Sequence, residues 1–164
     1  MIRNKNIHNC PVCNMVTNLD CLSSEYRSEK FFFCSEQCLE RFTANPGVYI
    51  GGRGIPSAKQ RGERCIKRRT LKLDSVVPVE MAENIINDLQ AMMGVIEVDV
   101  DADKINIIYD LIEVTTKQIE TVLEKTGNNA SKKYGEVLKR AFIHYNEETI
   151  MDNLEHNADL HSHH

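Results

Sequence analysis

Two stretches decide the fold of the N-terminal region: Cys10-Pro11-Val12-Cys13 and Cys34-Ser35-Glu36-Gln37-Cys38. The first reads as a knuckle, a tight turn whose backbone amides point toward two thiolates. The second sets two more thiols at a helix start, with Ser35 as N-cap and a helix running from Glu36 to Phe42. Between the pairs, residues 26–33 predict a short hairpin around Arg27-Ser28-Glu29-Lys30. A knuckle pair and a pair at a helix N-terminus can close a tetrahedral four-sulfur site, the arrangement that suits zinc, and the helix dipole there favours thiolate. A module of about 40 residues has little core of its own, so it needs a metal cross-link to fold. Four cysteines packed as small hydrophobes would not account for two close pairs.

The rest of the composition narrows the setting. The 164 residues allow one domain or two small ones. With 41% apolar and 27% charged residues, the chain is not a disordered polyelectrolyte. Aromatics make up only 6% and Trp is absent, which removes a base-stacking platform. No apolar run approaches the roughly 18 residues of a membrane span, and the N-terminus lacks the apolar core of a secretory signal. The expected location is the cytoplasm, without membrane insertion. In that reducing compartment six cysteines are better metal ligands than disulfide partners.

Charge is uneven. Between Arg53 and Lys72 stand eight basic residues (Arg53, Lys59, Arg61, Arg64, Lys67, Arg68, Arg69, Lys72) and one acid, Glu63, so this stretch carries +7 in a chain of net charge −4. Such an island could meet nucleic-acid phosphates. It has no interleaved aromatics and no amphipathic recognition helix, so a solvated linker, or one resting on the protein's own acidic surface, is the favoured reading. The resulting division is a finger over 1–50, a basic Gly-rich linker over 51–69, an α+β module over 70–127, and an amphipathic helix with a His-rich tail over 128–164.

Periodicity carries the third segment. Leu71 and Leu73 alternate in a strand over 70–74, and Met81, Ile85, Leu89 and Met92 mark one helix face that stops near Gly94. Ile96, Val98 and Val100 alternate with acids. Asp101-Ala102-Asp103-Lys104 makes a turn, and Ile105, Ile107 and Tyr109 continue as the second arm of a hairpin. A helix over 115–126 turns Ile119, Val122 and Leu123 inward. The order β-α-β-β-α is most of a ferredoxin-like unit, with a weak fourth strand over 128–134. Farther on, Tyr134, Val137, Leu138, Ala141, Phe142 and Tyr145 form an amphipathic stripe that must dock on the preceding unit or on a partner.

Cys10-Pro11-Val12-Cys13-Asn14-Met15-Val16, Tyr26, Phe31 to Cys38, Phe42 and Asn45-Pro46-Gly47-Val48-Tyr49 together resemble a YHS or TRASH-like domain, a treble-clef finger. The resemblance covers residues 8–50. It places Cys13, Cys34 and Cys38 at the family's three cysteine positions and adds Cys10 as a fourth ligand; Asn14 stands where the family usually has Gly. It implies heavy-metal sensing, trafficking or resistance, often beside copper-transporting ATPases. Residues 70–127 resemble a heavy-metal-associated (HMA) domain. The loop that carries two cysteines in that family reads Ser75-Val76-Val77-Pro78-Val79-Glu80-Met81 here, with Pro78 and Met81 at the cysteine positions. The resemblance therefore implies the fold without the linear two-thiolate site of Cu+.

His156, His161, His163 and His164 offer imidazoles for a second site suited to zinc, copper or nickel. Cys21 and Cys65 read as ordinary cysteines, His144 as structural, and His8 as a minor alternative ligand. No nucleophile–base pair, phosphate loop or open catalytic metal set is visible, so no enzyme is expected. The sequence thus reads as a metal-binding protein of trafficking, buffering or resistance. Zn2+ suits the four-cysteine site, Cu+ or another soft metal is the alternative, and a metal-transporting ATPase or other metal-handling protein would be the partner. The competing readings are a metal-responsive DNA-binding regulator and an interaction adaptor with a purely structural zinc.

Overall fold

The computed structural model describes residues 7–17, 22–128, 130 and 132–160, of which Tyr134 and residues 158–160 are described by backbone alone. The chain divides into two compact units, one of residues 1–63 with 151–164 and the other of residues 64–150.

In the first unit, β1 (His8–Asn9) pairs antiparallel with β2 (Val16–Thr17) across the first cysteine pair. The turn between them closes through Asn14, at φ 66°, whose amide donates to the Cys10 carbonyl at 2.8 Å. Asn tolerates this left-handed conformation far better than most residues do. The hairpin of β3 (Leu22–Tyr26) and β4 (Glu29–Phe33) follows. Its turn is tighter than expected, with only Arg27 and Ser28 in the loop, at φ 52° and 65°, as a two-residue turn that matches strand twist requires. The helix α1 (Glu36–Ala44) begins at Ser35, whose hydroxyl accepts from the Cys38 amide, and a short α2 (Pro46–Tyr49) completes the chain's turn. Knuckle, hairpin and helix make the treble clef.

The core of this unit is aromatic. Phe42 sits 4.9 Å from Phe33, 5.2 Å from Phe31 and 6.1 Å from Tyr49, centroid to centroid, with Val12 and Val48 fully buried. Residues 51–63, expected as linker, are instead folded onto the finger. Ser57 and Ala58 are fully buried, and the Lys59 amide donates to the Val48 carbonyl. The final element, α5 (Tyr134–Leu160), contributes Met151, which is buried, and the carboxylates of Asp152 and Glu155, which bind Asn45 and the Gly47 amide. The finger is therefore closed by residues more than 100 positions downstream.

The second unit begins with β5 (Ile66–Lys72), four residues before the expected strand start. There follow α3 (Val79–Gln90), β6 (Val95–Asp101), β7 (Lys104–Asp110) and α4 (Thr116–Lys125). The sheet order is β5-β7-β6, antiparallel throughout, which is the strand arrangement of a split βαβ unit. Among the described residues, the weak fourth strand shows one bridge, Leu73 to Ala130, beside a hydrogen bond from the Lys132 amide to Asp74. Leu71, Ile85, Leu89, Ile105, Ile107, Ile119 and Leu123 fill the core. Thr115 and Gln118 close a reciprocal capping box at the start of α4.

Two expectations need correction. Met81 is 40% exposed rather than inward, because Ile85 and Leu89 alone carry α3's buried face. Ile96 is exposed because a bulge between Val95 and Glu97 shifts the alternation of β6. Of the two docking places open to the stripe on α5, the second unit is not the one used: Ile143 and Glu147 are buried there, while Val137, Leu138, Phe142 and Tyr145 are exposed.

Candidate metal centre

The knuckle brings in Cys10 and Cys13, the end of β4 leads into Cys34, and the first turn of α1 supplies Cys38. Their four Sγ atoms lie within 4.8 Å of one another. Cys34 Sγ stands 3.2 Å from Cys13 Sγ and 3.6 Å from Cys38 Sγ. A disulfide requires about 2.05 Å, and the four are separate thiols. Four thiolates around zinc at about 2.3 Å stand roughly 3.8 Å apart along the edges of a tetrahedron. The spacings of 3.2 and 3.6 Å lie just under that value and all four sulfurs stay within 4.8 Å, so the donor set fits a tetrahedral soft or borderline cation.

Crowding splits the acidities of these thiols. Cys10 is held far below the ordinary thiol range, first by the Cys13 side chain and next by Cys38, with the Cys13 and Cys34 amides helping against the opposing effect of burial. Cys13, bound to Cys10, is pushed up to about 12. Cys38 is pushed up strongly by Cys10, Cys13 and burial, with only Ser35 opposing. Metal ligation requires thiolates, so a cation bound at the centre would displace thiol protons. Cys10 and Cys38 are fully buried, whereas Cys13 and Cys34 are half-buried.

The other expected site residues fall elsewhere. Cys21, His161, His163 and His164 lie outside the described residues. His156 is exposed and belongs to no metal-holding group among the described residues. His8 stacks on Phe32 at 4.7 Å and likewise stays outside the sulfur cluster. Cys65 is half-buried in the second unit, its amide bound to Asp110. His144 packs against Glu120 at 3.2 Å. The loop before α3 gathers no metal-holding group among the described residues either.

Within each unit the basic stretch is partly paired. Arg61 pairs with Glu63, Arg64 with Asp110 and Lys72 with Asp103. Lys67, Arg68, Arg69 and Lys72 sit in β5, where alternation divides them between two faces. Sequence reasoning missed the carboxylates that hold α5, Glu147 and Glu155; their partners lie 31 and 108 positions away, and no local pattern signals them.

Residues 8–53 match the YHS domain family. Two solved structures are similar over the C-terminal part. One is a candidate copper-ion-binding protein from Bacillus anthracis str. Ames, at 22% identity and TM-score 0.39, covering 41% of this chain and 97% of that one. The other is a copper form of a CopA variant from Bacillus subtilis, at 25% identity and TM-score 0.38, covering 43% of this chain and 95% of that one. No curated protein matches the chain.

Proposed function

We propose that this protein binds a heavy-metal ion, zinc or copper, through Cys10, Cys13, Cys34 and Cys38, and that it acts in metal trafficking, buffering or resistance in the cytoplasm. The observation that carries this reading is the convergence of four sulfurs within 4.8 Å. The YHS match over the same residues supports it. The ion would supply the cross-link that ties the knuckle to α1. The half-buried state of Cys13 and Cys34 favours exchange over a sealed structural role, because an incoming thiolate can reach their side of the centre.

On this reading the chain is not an enzyme: a full set of four sulfur ligands leaves no open position for a substrate or water. No helix among the described residues is long and apolar enough to cross a membrane, so a metal-transporting ATPase or other metal-handling protein would be met as a docking partner. The His tail would be a weaker, second capture site. The paired, divided arginines and lysines weigh against the DNA-binding alternative.

Native mass spectrometry of protein purified without added metal, titrated with Zn2+ or Cu+ beside a chain lacking residues 156–164, tests the reading. The expected result is one ion at the cysteines, displaced by the competing metal, with further ions lost on truncation. One tight zinc that copper never displaces would leave a structural finger and overturn metal handling. No bound metal in either titration would overturn the site itself.

A further inference from the structure

The four sulfurs are not equally reachable. Cys10 and Cys38 are fully buried, so an ion arriving from solvent meets Cys13 and Cys34, which are half-buried and whose sulfurs stand 3.2 Å apart. One more sulfur is tethered beside them. Met15 follows Cys13 by two residues and is 50% exposed. Its backbone is pinned to the centre at both ends: the amide donates to the Cys13 sulfur, and the carbonyl accepts from the Cys10 amide at 2.8 Å. Asn14, at φ 66°, makes the turn that brings the chain back for both bonds.

A single exposed apolar residue is ordinary on a protein surface. Met15 differs in where its backbone is held and in what its side chain offers. Beyond the pinned Cα lie three rotatable bonds and a polarizable thioether. Leucine would expose a similar apolar area here and supply no ligand. His8, on β1, is committed to its stack on Phe32 and stays outside the sulfur cluster.

We propose that Met15 is a copper ligand: Cu+ is taken on the open side of the centre by Cys13, Cys34 and the Met15 thioether, whereas Zn2+ takes the four cysteines. The proposal rests on the reading of those cysteines as a metal centre and adds how the two metals are told apart. Thioether sulfur is a soft donor that suits Cu+. Zinc draws on cysteine sulfur, histidine nitrogen and carboxylate oxygen instead. Charge favours the same division. Four thiolates around Cu+ leave three uncompensated negative charges, and four around Zn2+ leave two; two thiolates and a neutral thioether around Cu+ leave one. Uncompensated charge is costly away from water, so the monovalent ion gains most from a neutral sulfur. The transfer is ligand exchange without a change of oxidation state. Each thiol that binds Cu+ gives its proton to solvent, and the thioether has none to give.

The test is NMR of the full-length chain with 13C-labelled methionine methyls, purified without added metal and titrated anaerobically with Cu+ or with Zn2+. The Met15 methyl should move several-fold farther with the first equivalent of Cu+ than with Zn2+. The methyl of Met81, 40% exposed in the second unit, should move with neither. Met15→Leu keeps the size and the apolar character at an exposed position. It should weaken Cu+ binding about tenfold in competition with bicinchoninate, the loss expected for one weak contact, and leave Zn2+ affinity within about twofold. Met81→Leu should change neither affinity. Unchanged Cu+ affinity in Met15→Leu, an equal loss for both metals, or a Met15 methyl that moves as far with Zn2+ as with Cu+ would each overturn the assignment of Met15 and leave the four-cysteine centre standing. Failure of the chain to bind either ion would overturn the centre itself, and this inference with it.

Discussion

Glu147 offers the sharpest test of how α5 is held. It is 2% exposed, and its carboxylate accepts from the Thr116 amide at 2.9 Å, from the Thr116 hydroxyl at 2.7 Å and from the Tyr109 phenol. Thr116 is the first residue of α4, so the carboxylate also faces the positive end of that helix. Burial is the main reason the Tyr109 phenol is held above its ordinary range, and the charge of Glu147 is the next. Glu147→Ala removes the acceptor and leaves the Thr116 amide buried without a partner. Losing hydrogen bonds to a charged group and orphaning a donor should together cost about 3–5 kcal/mol. Glu147→Gln keeps the shape but turns an amide NH2 toward one donor, for about 1–2 kcal/mol. Thr116→Val removes the hydroxyl and spares the amide bond, for about 1 kcal/mol. Hydrogen exchange at the β7 amides of Ile105 and Ile107 reads opening of the second unit alone. At roughly 1.4 kcal/mol per decade, Glu147→Ala should speed it by about two to three and a half orders of magnitude. A change under tenfold would mean that the carboxylate is dispensable and the reasoning wrong.

Three further outcomes follow from the same reading. Gly47→Ala would place a Cβ 2.8 Å from Glu155 Cγ, pushing that side chain off the Gly47 amide it accepts from at 2.7 Å; about 1–2 kcal/mol should be lost in thermal unfolding of the first unit, and much less in a Glu155→Ala background. The His144 imidazole, raised chiefly by its hydrogen bond to Glu120, should titrate above the ordinary value of about 6.5 by NMR and return toward it in Glu120→Gln. Because its folded pKa is raised, its stabilisation is full below about pH 6.5 and lost as pH rises through the folded value, and solvent keeps the effect small; loss of stability on acidification through that window would contradict the assignment. Cys38→Ser should abolish tight metal binding and unfold the first unit by NMR while the β7 amides stay protected, and removal of residues 156–164 should do neither; equal unfolding by both changes would refute that division of labour.

Where the chain's own short-range chemistry decides structure, the residues could be read directly. Ser35 caps α1 because a hydroxyl three residues before an amide at a helix start has little else to do, and the two cysteine pairs converge because a knuckle and a capped helix each hold theirs locally. The β-α-β-β-α order was legible for the same reason, through alternation that switches between periods of 2 and 3.6. The errors lie where a longer-range contact competes. The basic stretch looked like a linker because Lys and Arg hide the alternation of β5, whose register is set by β7 some 40 residues on. The stripe of α5 left open whether it meets the preceding unit or a partner, and the face that packs in the second unit is chosen by Ile143 and by a glutamate that reads as polar. Amphipathicity reports that a helix has two unlike sides. Which side turns inward depends on where its partners' donors stand, and here the buried Thr116 amide and Tyr109 phenol outweigh an exposed phenylalanine and tyrosine. That choice leaves Phe142 and Tyr145 outward.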